Sequence, residues 1–153
     1  MKKNDRISAF VQQLGADPAL ALDPRYQGYF TCFNGRQYYE AHDVLENLWL
    51  ERRDEHYLFF KGLIQFAGAF VHLQKQYLRP DHPKDGRRLK PAVRLFALGT
   101  KNLAPFAPSH LQLDVAALLG LCRALVAEIE TGGFLRNPWH PSAAPQIQLE
   151  ETP

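Results

Sequence analysis

Apolar residues recur along this chain at helical rather than strand spacing. Between Arg36 and Arg53, at about 100° per residue, Tyr38, Ala41, Leu45, Leu48 and Trp49 share one broad face with the stem of Arg52. From Tyr57 to Leu78 the pattern is apolar over more than half the circumference, through Phe59, Phe60, Leu63, Ile64, Phe66, Phe70 and Val71. Such a helix needs neighbours on several sides, which predicts a central position. A third stripe, Leu89, Ala92, Val93, Phe96 and Thr100, spans Leu89 to Leu103, where Pro91 fits only in a first turn. The fourth follows Asp114, a favourable N-cap, with Val115, Leu118, Leu119, Cys122, Leu125, Val126 and Ile129, and stops at Gly132-Gly133. No stretch shows sustained strand alternation. The expectation is an all-α, single-domain helical bundle of about four main helices.

The flanks read differently. Residues 1–35 are expected to form an N-terminal approach segment. It holds a short amphipathic stretch (Ile7, Phe10, Val11, Leu14) ending at Gly15, turns at Asp17-Pro18 and Asp23-Pro24, and an aromatic-rich connector from Tyr26 to Phe33. Residues 36–131 carry the bundle, with Lys75–Lys90 as its least regular link. Residues 132–153 contain Pro138, Pro141, Pro145 and Pro153 and predict a C-terminal arm that packs through Phe134, Leu135 and Trp139 and then frays.

Composition narrows the class. A chain of 153 residues can bury a real core, and 46% hydrophobic with 22% charged residues excludes wholesale disorder. Eighteen basic against 16 acidic residues give a formal charge of +2, too small by itself to imply a nucleic-acid or membrane partner. Cys32 and Cys122 make neither a disulfide framework nor a four-thiolate zinc site; they are expected as buried thiols of a reducing compartment. The longest uncharged run in a periodic segment, Gly62 to Gln74, falls short of the ~20 residues of a membrane span. Asp5, Arg6, Gln12 and Gln13 interrupt any apolar leader. The expectation is a soluble, cytoplasmic protein with no membrane partner.

The densest mix of titratable and aromatic residues lies between Tyr38 and Trp49. His42 and Glu46, four apart, are neighbours on a helix surface, whereas Glu40 points almost to the opposite side. The following helix has one polar stripe, Lys61, Gln65, His72 and Gln76, interleaved with Gly62, Gly68 and Ala69. If the two helices pack antiparallel, His42 and Glu46 would face Gln65 and His72 in a polar pocket. Two imidazoles and a carboxylate there would suit a divalent metal, with His42, Glu46 and His72 as ligands. Without a metal, Glu46 and His42 could act as base and proton carrier. Tyr39, Glu40, Asp43, Trp49 and Gln65 would complete the pocket. The competing reading is structural: a buried His–Glu or His–Gln pair can simply satisfy two polar groups. The chain has no His-Glu-x-x-His helix and no Cys-x-x-Cys.

Phe33-Asn34-Gly35, then Tyr38-Tyr39-Glu40-Ala41-His42-Asp43-Val44-Leu45-Glu46 and Leu48-Trp49, followed by Gly62-Leu63-Ile64-Gln65 and His72, resembles the domain of unknown function 309 family. The resemblance is densest over residues 33–72 and continues more loosely to about residue 130. The chain has Lys61 where the family often has Gln, and Val71 where it often has the first His of a pair. The resemblance implies a small all-helical domain and supplies no activity. It raises Glu40, His42, Asp43, Glu46, Trp49, Gln65 and His72 as a shared site, by analogy.

Charge is unevenly distributed. Residues 75–101 hold eight basic and two acidic side chains, and residues 40–55 hold six acidic and two basic. The basic run could attract an anion or an RNA backbone, although such runs are commonly just solvated. His56, His82, His110 and His140 lie in expected connectors or tails and are assigned to solvent. Phe30, Phe33, Tyr38 and Tyr39 read as packing aromatics. Three functional readings result. The first is a metal-assisted or acid/base hydrolase of a small polar substrate. The second is a non-catalytic helical module that binds a protein partner or a second copy. The third is an anion or RNA-backbone binder acting through residues 75–101.

Overall fold

A computed structural model describes residues 18–150. The amphipathic stretch Ile7–Leu14, Asp17 of the first turn and Pro153 of the arm lie outside the described residues. A single helical turn, α1 (Pro18–Ala21), leads into α2 (Pro24–Asn34), α3 (Tyr38–Glu51), α4 (Tyr57–Leu78), α5 (Leu89–Leu103) and α6 (Val115–Thr131). The fold is predominantly all-α, as expected. The stripes predict α4 and α5 to the residue and α3 to within two residues at each end. Asp114 caps α6 by accepting from the Ala117 amide, and α6 ends at Gly132.

One element departs from expectation. The segment Tyr26–Phe33, read as a connector, is the body of α2. Asp23-Pro24 is a helix start rather than a free turn: the Asp23 carboxylate accepts from the Arg25 amide, and Pro24 occupies the first turn. The stripe at 26, 29, 30 and 33 is the i, i+3, i+4, i+7 repeat of a helix, and all four rings are buried. Aromatic composition obscured a periodicity that was present.

The core is organised around α4, whose Phe59, Phe60, Leu63, Phe66, Phe70 and Leu73 are fully buried. Helix α3 packs on one side of it and α5 on another. From α2, the Tyr29 hydroxyl donates to the Leu63 carbonyl at 2.6 Å, inside the core. Rings interlock across these helices: Phe33 stacks on Phe66 with centroids 5.3 Å apart, and Phe70 meets Phe33, Tyr38 and Phe96. Each fully buried Phe or Leu contributes about 1.5–3 kcal/mol through removal from water. Losing one ring of this cluster would therefore remove a large share of a small domain's stability.

The small residues of α4 serve α5, not α3. A Cβ on Gly62 would lie 2.7 Å from Leu103 Cγ, and one on Gly99 of α5 would lie 3.1 Å from the Gly62 carbonyl oxygen. These glycines let the two backbones approach closely.

Between α5 and α6, β1 (Ser109–His110) pairs antiparallel with β2 (Leu113–Asp114), in register Ser109↔Asp114 and His110↔Leu113. The two joining residues, Leu111 and Gln112, both have positive φ, as the tight right-twisted hairpin turn requires. Buried Leu111 is held there by the Tyr26 hydroxyl, which donates to its carbonyl at 2.8 Å.

The arm after α6 packs on the bundle. Trp139 and Ile147 are buried, and the Asn34 side chain accepts from the Ile147 amide while donating to its carbonyl. The expectation that Leu135 anchors the arm is corrected: it is 84% exposed, and Phe134 is half-buried. No helix among the described residues is long and apolar enough to cross a membrane.

Candidate functional site

Helix α3 buries Tyr38, Ala41, Leu45 and Leu48, and that placement turns His42, Asp43 and Glu46 toward solvent. His42 Nδ1 lies 3.2 Å from Asp43 Oδ1 and 3.5 Å from Glu46 Oε2. Among the described residues these three form the one group of His, Cys, Asp or Glu side chains whose ligand atoms all lie within 4.8 Å of one another. The side chains are 32%, 56% and 40% exposed, so the cluster sits on an open helix surface rather than in a sealed gap. Tyr39 lies nearly parallel to the His42 ring, with centroids 6.2 Å apart, and is itself exposed.

The other expected site residues lie elsewhere. Gln65 accepts from the Asn102 side-chain amide of α5 at 2.7 Å. His72 Nδ1 accepts from Arg88 Nη1 at 3.1 Å, just before α5 begins, and does not belong to the His42 group. Gln65 and His72 of the polar stripe thus turn toward α5 and the residue that precedes it, and their hydrogen bonds tie α4 to both. Burial lowers the His72 pKa below the ordinary histidine value, and the Arg88 guanidinium lowers it further. Both effects keep the ring neutral, as its acceptor role demands.

Glu40 is exposed and bears electrostatically on Cys32 of α2, whose thiol pKa is raised by burial first and by Glu40 second. Trp49 packs against Tyr57 at 5.2 Å. Its indole N–H and Arg52 Nε are buried without a hydrogen-bond partner among the described residues.

A second histidine arrangement escaped the sequence reading. His56, assigned to solvent, is 1% exposed, and its Nδ1 lies 2.9 Å from Nε2 of His110. The pair is packed among Phe59, Phe60 and Phe106. At that distance one ring must donate and the other accept, so they cannot both be imidazolium. The two residues are 54 positions apart and meet only because the β1–β2 hairpin folds back on the start of α4. No local signal could have paired them.

The chemistry available at His42–Asp43–Glu46 is one imidazole and two carboxylates with open approach from solvent. That donor set suits a divalent ion of intermediate hardness, or a proton-sharing surface cluster. No curated protein and no solved structure gives a significant match to the chain. A match is found to the family described as Domain of unknown function (DUF309), over residues 26–80. It runs from Tyr26 in α2 through all of α3 and α4, so the segment that is similar to this family is the one that carries the cluster.

Proposed function

We propose that this chain is a small helical domain whose working site is a divalent-cation centre on α3, held by His42, Asp43 and Glu46. The observation that supports this reading is the convergence of three ligand atoms within 4.8 Å on one exposed helix face. Imidazole and carboxylate together suit zinc, manganese or iron better than the all-oxygen shells of calcium. Three protein ligands from one helix leave coordination positions open to water and to a small polar substrate, the arrangement that metal-assisted hydrolysis uses. Glu46, the more loosely held of the two carboxylates, serves as ligand or as base toward a bound water. Tyr39 flanks the open side with an aromatic face.

A second reading, a non-catalytic helical module, draws support from Gln65 and His72. Both are engaged in bonds that tie α4 to α5 and its approach, so part of the family signature serves packing.

Metal titration by calorimetry, with Zn²⁺ and Mn²⁺ on chelator-treated protein, separates the two. The cation centre predicts about one ion per chain, lost in His42→Ala and Glu46→Gln and retained in Glu40→Gln, with folding unchanged in all three. Absence of uptake, or equal uptake in every variant, discards the metal reading in favour of the module.

A further inference from the structure

The irregular link between α4 and α5 is tightly built, and its charges are unevenly spent. Asp85 takes both Arg79 and a two-point contact from Arg88. Burial leaves the Asp85 and Arg88 side chains only 13% exposed. His82 Nδ1 accepts from the amides of Lys84 and Asp85, and the Arg88 amide donates to Gln76 Oε1 at 2.7 Å. A Cβ on Gly86 would fall 2.1 Å from the Pro80 carbonyl oxygen, so this backbone is packed against itself. The loop is thereby held in one shape, and Arg87 and Lys90 are left without a carboxylate partner among the described residues.

Both cations line a surface cavity of about 380 Å³ at the start of α5, within the size range of small-molecule sites. Its lining contains no acidic residue. Gln76 contributes an amide, and Phe134 and Leu135 form an apolar wall. Lys90 Nζ stands 6.0 Å from the centre of the Phe134 ring. Helix α5 opens with no side-chain cap and no acid in its first turn, which adds a positive dipole end to the same wall. Phe134 holds φ of 60°, a left-handed conformation that is costly for a bulky residue, and its ring lines this cavity.

We infer that this cavity is a binding site for a small organic anion with an apolar or aromatic body. Its phosphate or carboxylate meets Arg87 and Lys90, and its body lies against Phe134 and Leu135. The site is separate from the His42 cluster and does not depend on it. It gives the basic run of residues 75–101 a specific focus, because Arg79 and Arg88 are already neutralised within the loop and only Arg87 and Lys90 face the cavity.

The test is calorimetric titration of the whole chain with phenyl phosphate, inorganic phosphate and benzyl alcohol at low salt, with backbone amide shifts mapped by NMR. Phenyl phosphate should bind roughly tenfold more tightly than either fragment and shift the amides of Gly86 to Lys90 and of Phe134. Arg87→Gln with Lys90→Gln, both exposed positions, should cost at least about tenfold in affinity while leaving Tm unchanged. Phe134→Gly removes the ring and suits the positive φ, so it should weaken phenyl phosphate without weakening inorganic phosphate. The proposal is overturned if phenyl phosphate does not bind, if benzyl alcohol binds as tightly, or if the double variant binds normally.

Discussion

The indole N–H of Trp139 donates to the Tyr38 hydroxyl at 2.9 Å, joining the C-terminal arm to the first turn of α3 across 101 positions of sequence. Their rings also meet edge to face, with centroids 6.0 Å apart. Both residues are buried, so neither polar group can fall back on water. Tyr38→Phe should therefore destabilise the fold by about 1–3 kcal/mol, the cost of leaving a buried indole N–H unpaired. Trp139→Phe in the Tyr38→Phe background should cost less than it does alone, because the bond is already gone. Chemical denaturation of the double-mutant cycle checks this, and additive costs would show that the bond contributes nothing.

Glycines on helices α4 and α6 should respond with opposite signs. Gly62→Ala drives a methyl to within 2.7 Å of Leu103 Cγ at the α4–α5 contact and should cost about 1–3 kcal/mol through overpacking. Gly120→Ala meets nothing within 4 Å and should add about 0.5–1 kcal/mol by restricting the unfolded chain. Thermal melts of the two variants measure both effects.

Acid should weaken the α4–α5 connection through His72. Its folded pKa is lowered by burial and by Arg88, so the unfolded state takes up the proton first as pH falls. The stability associated with neutral His72 is fully present above the ordinary value of about 6.5 and is lost as pH falls from there through the lowered folded pKa. His72→Asn, which keeps an acceptor for Arg88 but does not titrate, should flatten stability between about pH 7 and about pH 5. Asp23 and Asp85, lowered chiefly by bonds to Arg25 and Arg88, act in a separate window. Their contribution is lost only as pH falls below the ordinary carboxylate value of about 3.9. An unchanged slope in His72→Asn across the upper window would contradict this assignment.

Neither thiol should be a ready nucleophile. Burial pushes Cys122 up to about 11, against the opposing pull of its bond to Thr100, and burial raises Cys32 as well. A thiol-reactive dye at about pH 8 should label Cys32 slowly and Cys122 only after unfolding, since the thiolate is the reacting form. Mass spectrometry of partly labelled protein identifies the order; early labelling of Cys122 would mean that α6 opens readily.

Much of the fold was legible because a helix is a local structure. The stripes at Tyr38–Trp49, Tyr57–Leu78, Leu89–Thr100 and Val115–Ile129 report burial residue by residue, and Asp114 and Gly132 mark ends through their own chemistry. Helix α2 carried equally good signals, Asp23-Pro24 and the 26, 29, 30, 33 repeat. Its dense aromatic composition suggests a connector, but the periodicity of its buried rings is that of a helix.

Of the expected ligand set His42, Glu46 and His72, only the pairing of His42 with Glu46 follows from spacing along one helix; Asp43 is expected at the pocket mouth, and His72 lies elsewhere. His42, Asp43 and Glu46 lie within one turn of one helix, so their proximity follows from helical geometry alone. Which helix faces the polar stripe of α4 is a different kind of fact. The same Gly62, Gln65, Gly68 and His72 could have received α3 or α5, since close packing asks only for small residues and polar partners. Asn102, Leu103 and Arg88 made that choice, by filling the spaces beside those residues and meeting their polar atoms. The His56–His110 pair, the Trp139–Tyr38 bond and the Phe134 cavity likewise join residues far apart in the chain. The sequence by itself determined the helices, their buried faces and the chemistry each displays, because these depend on neighbours within a turn or two. The tertiary structure alone decided which faces meet, because that depends on shape and hydrogen-bond fit summed over the whole chain.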